Sequence, residues 1–191
     1  MKVSEVLKSE TPSLSLEVFP PKKETSFESV LEATKRIASL SPSYMSVTYG
    51  AGGGRSKFTV DVASRLMQEY DTVMVAHLTC VSSTRDQIDG QISRMKETGI
   101  DNILALRGDI PDDAPDRKEW SFQHASELVS YIRQQGDFCI GGACYPDGHV
   151  ECAHKDEDIL HIKEKVDAGC QFLTTQMFFD NSVFYNYLYR L

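Results

Sequence analysis

The stretch Asn102–Asp109, NILALRGD, sets how the rest of the chain is read. Four apolar residues, Ile103, Leu104, Ala105 and Leu106, run directly into Arg107, Gly108 and Asp109. An apolar run of that length, bounded by a turn signal, is the pattern of a strand covered on both faces, as in a parallel sheet. Two opposite charges then flank a glycine, the residue most tolerant of unusual backbone angles. In α/β folds, ligands gather at the carboxyl ends of the strands. RGD is therefore a candidate site, set against the plainer alternative of an Arg–Asp pair capping an ordinary strand–helix turn.

Similar runs recur on either side. Leu14–Phe19 (LSLEVF) predicts a strand that stops at Pro20 and Pro21, which cannot join a central ladder. Tyr44–Thr48, Thr72–Thr79, Phe138–Tyr145 and Gln171–Met177 predict four more. Between them, apolar residues at helical spacing predict helices over Phe27–Leu40 with Ser26 as N-cap, Phe58–Tyr70, Arg85–Thr98 begun near Ser83 and ended by Gly99, Gln123–Gln135, Asp156–Ala168 and Asn181–Leu191. The strands return about every 30 residues, the period of a βαβ repeat, so a parallel sheet covered by helices is expected. Two architectures compete at this point, a doubly wound sheet and a (β/α)8 barrel of typically about 250 residues. No linker or low-complexity segment divides the chain, so residues 1–191 read as a single, and if a barrel then partial, domain.

Composition narrows the partners. With 20 Lys and Arg against 28 Asp and Glu, the net charge of −8 disfavours nucleic acid and anionic membranes. No apolar run approaches the ~18 residues of a membrane span, and MKVSEVLKSETP has no apolar core of a secretory signal. Five cysteines without a framework spacing suit a reducing cytoplasm.

Three constellations could carry chemistry. Gly50, Gly52, Gly53 and Gly54 follow a predicted strand and suggest a dinucleotide fingerprint, but Arg55 stands where its third glycine belongs and the next strand ends in HLTC without the expected acid. Cys139, Cys144, Cys152 and His154 crowd one region at spacings that match no zinc knuckle, so no metal site is expected. The third is the set of strand ends. Glu17 lies within the apolar stretch LEVFPP, where burial is expected to raise its pKa into the range of a general acid. Thr48, His77, Arg107 with Asp109, Tyr145 and Gln176 close the other predicted strands with polar or ionisable groups, as the mouth of a barrel site would require.

With those residues laid out, the chain resembles the catalytic barrel of the 5,10-methylenetetrahydrofolate reductase family. The matching blocks are LEVFPPK (16–22), SVTYGAGG (46–53), AHLTC (76–80), NILALRGD (102–109), ACYPDGH (143–149) and KVDAGCQFLTTQMFFD (165–180), in family order. The resemblance implies a TIM-type (β/α)8 barrel fold, of which about six β/α units are present. It also implies the family's activity in one-carbon metabolism and methionine biosynthesis. There a non-covalent FAD passes a hydride from NAD(P)H to methylenetetrahydrofolate in a ping-pong cycle, giving 5-methyltetrahydrofolate.

Carried over residue by residue, the resemblance implies Glu17 as proton donor to the folate N10, Asp109 between flavin and folate, and Gln176 as a folate contact. It implies Thr48 and His77 near the flavin ring, with Arg107, Gly108 and Tyr145 along the cofactor. Ala143 would line the ring pocket, and His149, Asp158 and Lys165 would hold the ribose, phosphate and adenine side. Six units leave the first and last strands with open edges, from which self-association or a partner subunit is expected. The alternative is a truncated, non-catalytic or partner-completed fragment of the same fold.

Overall fold

The computed structural model describes residues 1–49, 56–110 and 116–191. The glycine-rich turn at 50–55 and part of the acidic loop at 111–115 lie outside the described residues. Six strands form one sheet: β1 (Ser15–Val18), β2 (Tyr44–Val47), β3 (Met74–Thr79), β4 (Asn102–Leu106), β5 (Cys139–Cys144) and β6 (Phe172–Thr175). They pair in sequence order and every neighbouring pair is parallel. Unbroken sequential order excludes the doubly wound alternative, whose strand order reverses at a switch point. Residues of β1, β2, β3, β4 and β6 line one cavity of about 80 Å³, so the sheet curls around a common interior. This is a partial β/α barrel.

The register separates two faces. Glu17 pairs with Ser46, and Ser46 with Val75, placing these residues and His77 on one side. Val75 pairs with Asn102, Leu104 with Gly141, and Ala143 with Thr174, which continues that inner face through β6. The opposite face carries Val18, Met45, Val47, Met74, Ala76, Leu78, Ile103, Ala105 and Ile140, all packed in the main core. A strand's side chains alternate, so each strand serves the helix layer with one set and the interior with the other.

Helices α2 (Phe27–Ala38), α3 (Ser56–Tyr70), α4 (Arg85–Thr98), α5 (Ala125–Gln135), α6 (Lys155–Ala168) and α7 (Asn181–Arg190) follow the strands. Leu66, Ile88, Ile92, Leu128 and Ile132 are buried from α3, α4 and α5 against the outer face. Each such side chain contributes about 1.5–3 kcal/mol by leaving water. Helix α4 spans the expected Arg85–Thr98, with Thr84 rather than Ser83 as its cap: Thr84 Oγ1 accepts from Gln87 N at 3.3 Å while Gln87 Oε1 accepts from Thr84 N at 2.8 Å. That reciprocal pair satisfies two otherwise unbonded donors, and Gly99 closes the helix at φ 77°. Ser26 stands at the N-cap position of α2 as expected, but its side chain makes no capping hydrogen bond. It ends a 3-10 turn over Glu24–Ser26, and its hydroxyl donates backwards to Lys23 O at 2.8 Å.

One element has no signal in the sequence. The four-residue α1 (Val3–Val6) lies against the amino end of the barrel, with Val3 fully buried beside Val75, Leu104, Cys139 and Phe172. Buried Asn102 holds it there, accepting from Val3 N at 2.8 Å and donating to Met1 O at 3.2 Å and Met74 O at 3.1 Å. Among the described residues no helix is long and apolar enough to cross a membrane.

Candidate active site at the carboxyl ends of the strands

Two groups of side chains gather where the strands end. The first spans β1 to β3. Glu17, half-exposed on the inner face, accepts a hydrogen bond on Oε2 from Ser46 Oγ at 3.2 Å. His77 Nε2 approaches the same oxygen at 3.3 Å. That is close enough for charge attraction, but the nitrogen makes no well-aligned hydrogen bond and is left buried without a proper partner. His77 as a whole is only 6% exposed. Thr48 closes β2 on the same face, its N–H donating to Val18 O at 3.0 Å and its carbonyl accepting from Thr59 Oγ1 at 2.9 Å.

The expected rise in the Glu17 pKa is not found. Contact with His77 first, and the Ser46 hydroxyl with it, outweigh burial and hold the carboxyl below its ordinary value. The reason is strand geometry. The apolar neighbours Leu16 and Val18 point to the opposite face, so the sequence context LEVF is not the spatial context of Glu17.

The second group gathers around β4 and β5. Arg107 forms a two-pronged ion pair with Glu151 in the loop after β5, at 2.7 and 2.6 Å, and its Nε donates to Gly108 O at 3.2 Å. Each partner stabilises the other's charge, so Glu151 is held below the usual carboxylate range and Arg107 above its own. Gly108 adopts φ 88°, and a Cβ there would lie 2.7 Å from Val81 Cγ1, so the turn needs glycine twice over. Asp109 follows, exposed at the mouth.

The loop after β5 folds on itself. The rings of Tyr145 and His149 meet edge to face at 4.8 Å, and burial raises the Tyr145 pKa. His149 N donates to Oδ2 of the buried Asp158 at 3.2 Å, and His149 Nδ1 accepts from Glu151 N at 3.1 Å. Lys165 reaches under the sheet, where Nζ donates to Ala143 O at 2.8 Å and burial lowers its pKa. At β6 the Gln176 N–H extends the ladder to Cys144 O at 2.8 Å, while its side chain is exposed. Phe172 lies across Gly141, where an added Cβ would sit 2.3 Å from the ring.

The structure thus joins Glu17 to His77, and Arg107 to the loop of Tyr145 and His149, which is bonded in turn to Asp158 of α6. Asp109 and Gln176 stand exposed after the ends of β4 and β6, with β5 between those strands. Two residues escaped the sequence reading. Ser46 lies two positions before Thr48, so period-two alternation from Thr48 identifies its face. Glu151 is 44 residues from Arg107, and no local pattern links them. Among the described residues no cluster of metal-ligating side chains occurs.

Comparison with known proteins accords with this geometry. The family model described as methylenetetrahydrofolate reductase matches residues 2–191. Methylenetetrahydrofolate reductase 1 of Schizosaccharomyces pombe is 39% identical over 188 residues, covering 94% of this chain and 31% of the relative. The 5,10-methylenetetrahydrofolate reductase of Pectobacterium carotovorum subsp. carotovorum is 35% identical over 170 residues, covering 88% of this chain and 55% of the relative. This chain therefore spans from about a third to just over half of these curated relatives. A solved Clostridium thermocellum protein, described as binding two copies of 5-methyl-5,6,7,8-tetrahydrofolic acid, superposes with a TM-score of 0.69 at 16% identity. It covers 99% of this chain and 63% of that one, a likeness of fold alone. By the family match across its length and the identity of its relatives, this chain belongs to the methylenetetrahydrofolate reductase family.

Proposed function

We propose that the chain carries the flavin and folate site of an FAD-dependent reductase that converts 5,10-methylenetetrahydrofolate to 5-methyltetrahydrofolate with NADH or NADPH. The observation that carries this reading is the inner-face cluster of Glu17, Ser46 and His77 at adjacent strand ends, in a chain of this family. A buried histidine nitrogen without an aligned partner suits a polar ring atom of a bound ligand. Thr48 and His77 would flank the ring system, Ala143 and Tyr145 would line it, and Gly108 lets the backbone approach closely. His149 and Asp158 would serve the ribose and phosphate side. FAD, when bound, supplies hydride transfer between the nicotinamide and the folate.

The chain's own residues do the rest. Glu17 gives a proton to the folate N10, opening the five-membered ring and exposing the one-carbon unit as an electrophile. In the unliganded chain its pKa is low. A ring seated over a half-exposed carboxyl removes its water, and desolvation raises the pKa toward the working pH. Asp109 and Gln176, after the ends of β4 and β6, hold the folate by hydrogen bonds. Arg107 and Lys165 are already engaged, with Glu151 and with Ala143 O, and each keeps further N–H donors with which to meet a cofactor phosphate. Strands β1 and β6 each pair on one side only, and we infer a further segment or subunit along those edges.

The two half-reactions test the assignment separately. Glu17→Gln is expected to leave flavin reduction by the nicotinamide intact and to abolish folate reduction. Equal loss of both would remove Glu17 from the role of proton donor.

A further inference from the structure

Glu17 and Ser46 are directly paired Cα partners on adjacent parallel strands, and Ser46 Oγ donates its single proton to Glu17 Oε2 at 3.2 Å. His77, which faces Oε2 at 3.3 Å from the next strand, is poorly aligned for a hydrogen bond. The serine is thus the aligned donor to this carboxyl among the described residues, and Oε1 receives none. We propose that Ser46 is a positioning residue for Glu17, anchoring Oε2 across the β1–β2 register so that Oε1 is the oxygen that carries and delivers the proton. The inference rests on the proton-donor role given to Glu17 above.

The chemistry follows from what a serine can and cannot do. In the donation step the Oε1–H bond breaks, the proton passes to a substrate nitrogen, and a carboxylate remains. The Ser46 hydroxyl stabilises that carboxylate through Oε2 more strongly than it stabilises the neutral acid, since hydrogen bonds to charged acceptors are about twice as strong. Its own ionisation lies far outside the working range, so it supplies no competing proton. The titratable groups facing Glu17 from the packed strands are His77 on β3 and Tyr44 on β2, which lines the same cavity. A serine between them fixes the carboxyl's rotation without adding a charge. A purely structural serine would not influence the titration of Glu17.

The test is the carboxyl resonance of Glu17 in 13C-labelled protein without cofactor, assigned by its absence in Glu17→Gln and followed against pH. Ser46→Ala should move the titration midpoint to higher pH by about half a unit or more, because the ionised form loses its aligned donor. Ser46→Thr, which keeps a hydroxyl on a strand-compatible side chain, should return it to the parent value. If Ser46→Ala does not fold, Ser46→Val set against Ser46→Thr gives the same comparison, without and with a hydroxyl on β-branched side chains of one shape. An unmoved midpoint, or one that threonine does not restore, would overturn the proposal. In the folate half-reaction the alkaline limb of the pH profile should move the same way. A titration shift in protein that binds no folate would leave the anchoring intact and refute the catalytic reading instead.

Discussion

Gly141→Ala probes the tightest contact in the barrel interior. An added Cβ would lie 2.3, 2.4 and 2.8 Å from Cζ, Cε2 and Cε1 of Phe172. Carbon atoms settle at about 3.5–4.0 Å, so the ring would have to retreat by more than ~1 Å. Phe172 is buried against Val75, Leu104, Cys139 and Val3, which leaves little room to retreat. Overpacking of this kind costs about 1–3 kcal/mol. The cavity of about 80 Å³ that Phe172 also borders relieves part of the strain and favours the lower half of that range. The assay is urea unfolding followed by circular dichroism, on the parent, Gly141→Ala, Phe172→Ala and the double variant. In the Phe172→Ala background the clash partner is gone, so the alanine should cost less than ~0.5 kcal/mol. The coupling energy should then be about 1–2 kcal/mol. If Gly141→Ala costs the same in both backgrounds, the ring does not explain the glycine.

Three further perturbations address other parts of the molecule. Gly108→Ala meets both a left-handed backbone at φ 88° and Val81 Cγ1 at 2.7 Å, so it should lower stability by about 2–4 kcal/mol in the same assay. Asn102→Leu leaves the Val3 N–H and Met74 C=O without their buried partner, and thermal unfolding should show a loss of about 2–4 kcal/mol. Glu17, whose folded pKa is depressed, contributes stability present above its unfolded pKa and lost as pH falls through the folded one. For a half-exposed group screened by water that contribution is about 0.2–1 kcal/mol. Glu17→Gln should therefore be less stable than the parent near about pH 7 and converge with it below about pH 4, as denaturant midpoints at the two pH values would show.

Much of the fold is written locally. NILAL, MVAHLT and CIGGAC declare buried strands because an element covered on both faces needs apolar residues at nearly every position. Helix α4 is legible end to end, since a reciprocal Thr84–Gln87 cap and a left-handed Gly99 are local devices. What escaped depends on distant partners. Four residues of α1 make no periodicity, and their place is set by Asn102, about a hundred residues away. Ser26 has the right type for a cap, but the preceding 3-10 turn already directs its hydroxyl backwards.

The candidate site divides the same way. The positions of Glu17, Arg107 and Gln176 at or beside strand ends follow from the strands themselves, whereas His77 lies within β3, before Leu78 and Thr79. The electrostatics do not follow from the strands, because neighbours in sequence on a strand face opposite sides. Glu17 looks buried in LEVF, yet meets Ser46 and His77 from other strands. Arg107 is expected along a cofactor or paired with Asp109, yet is held by Glu151 in a loop that gives no local sign of it.

The central claim, that these strand ends form a flavin site, is tested most directly by mixing the purified chain with FAD, removing unbound cofactor by gel filtration and recording the visible spectrum. Retention of flavin absorption close to one equivalent per chain, lost in Gly108→Ala and kept in Glu17→Gln, is the predicted result. A colourless protein that retains no FAD while remaining folded by circular dichroism would contradict it.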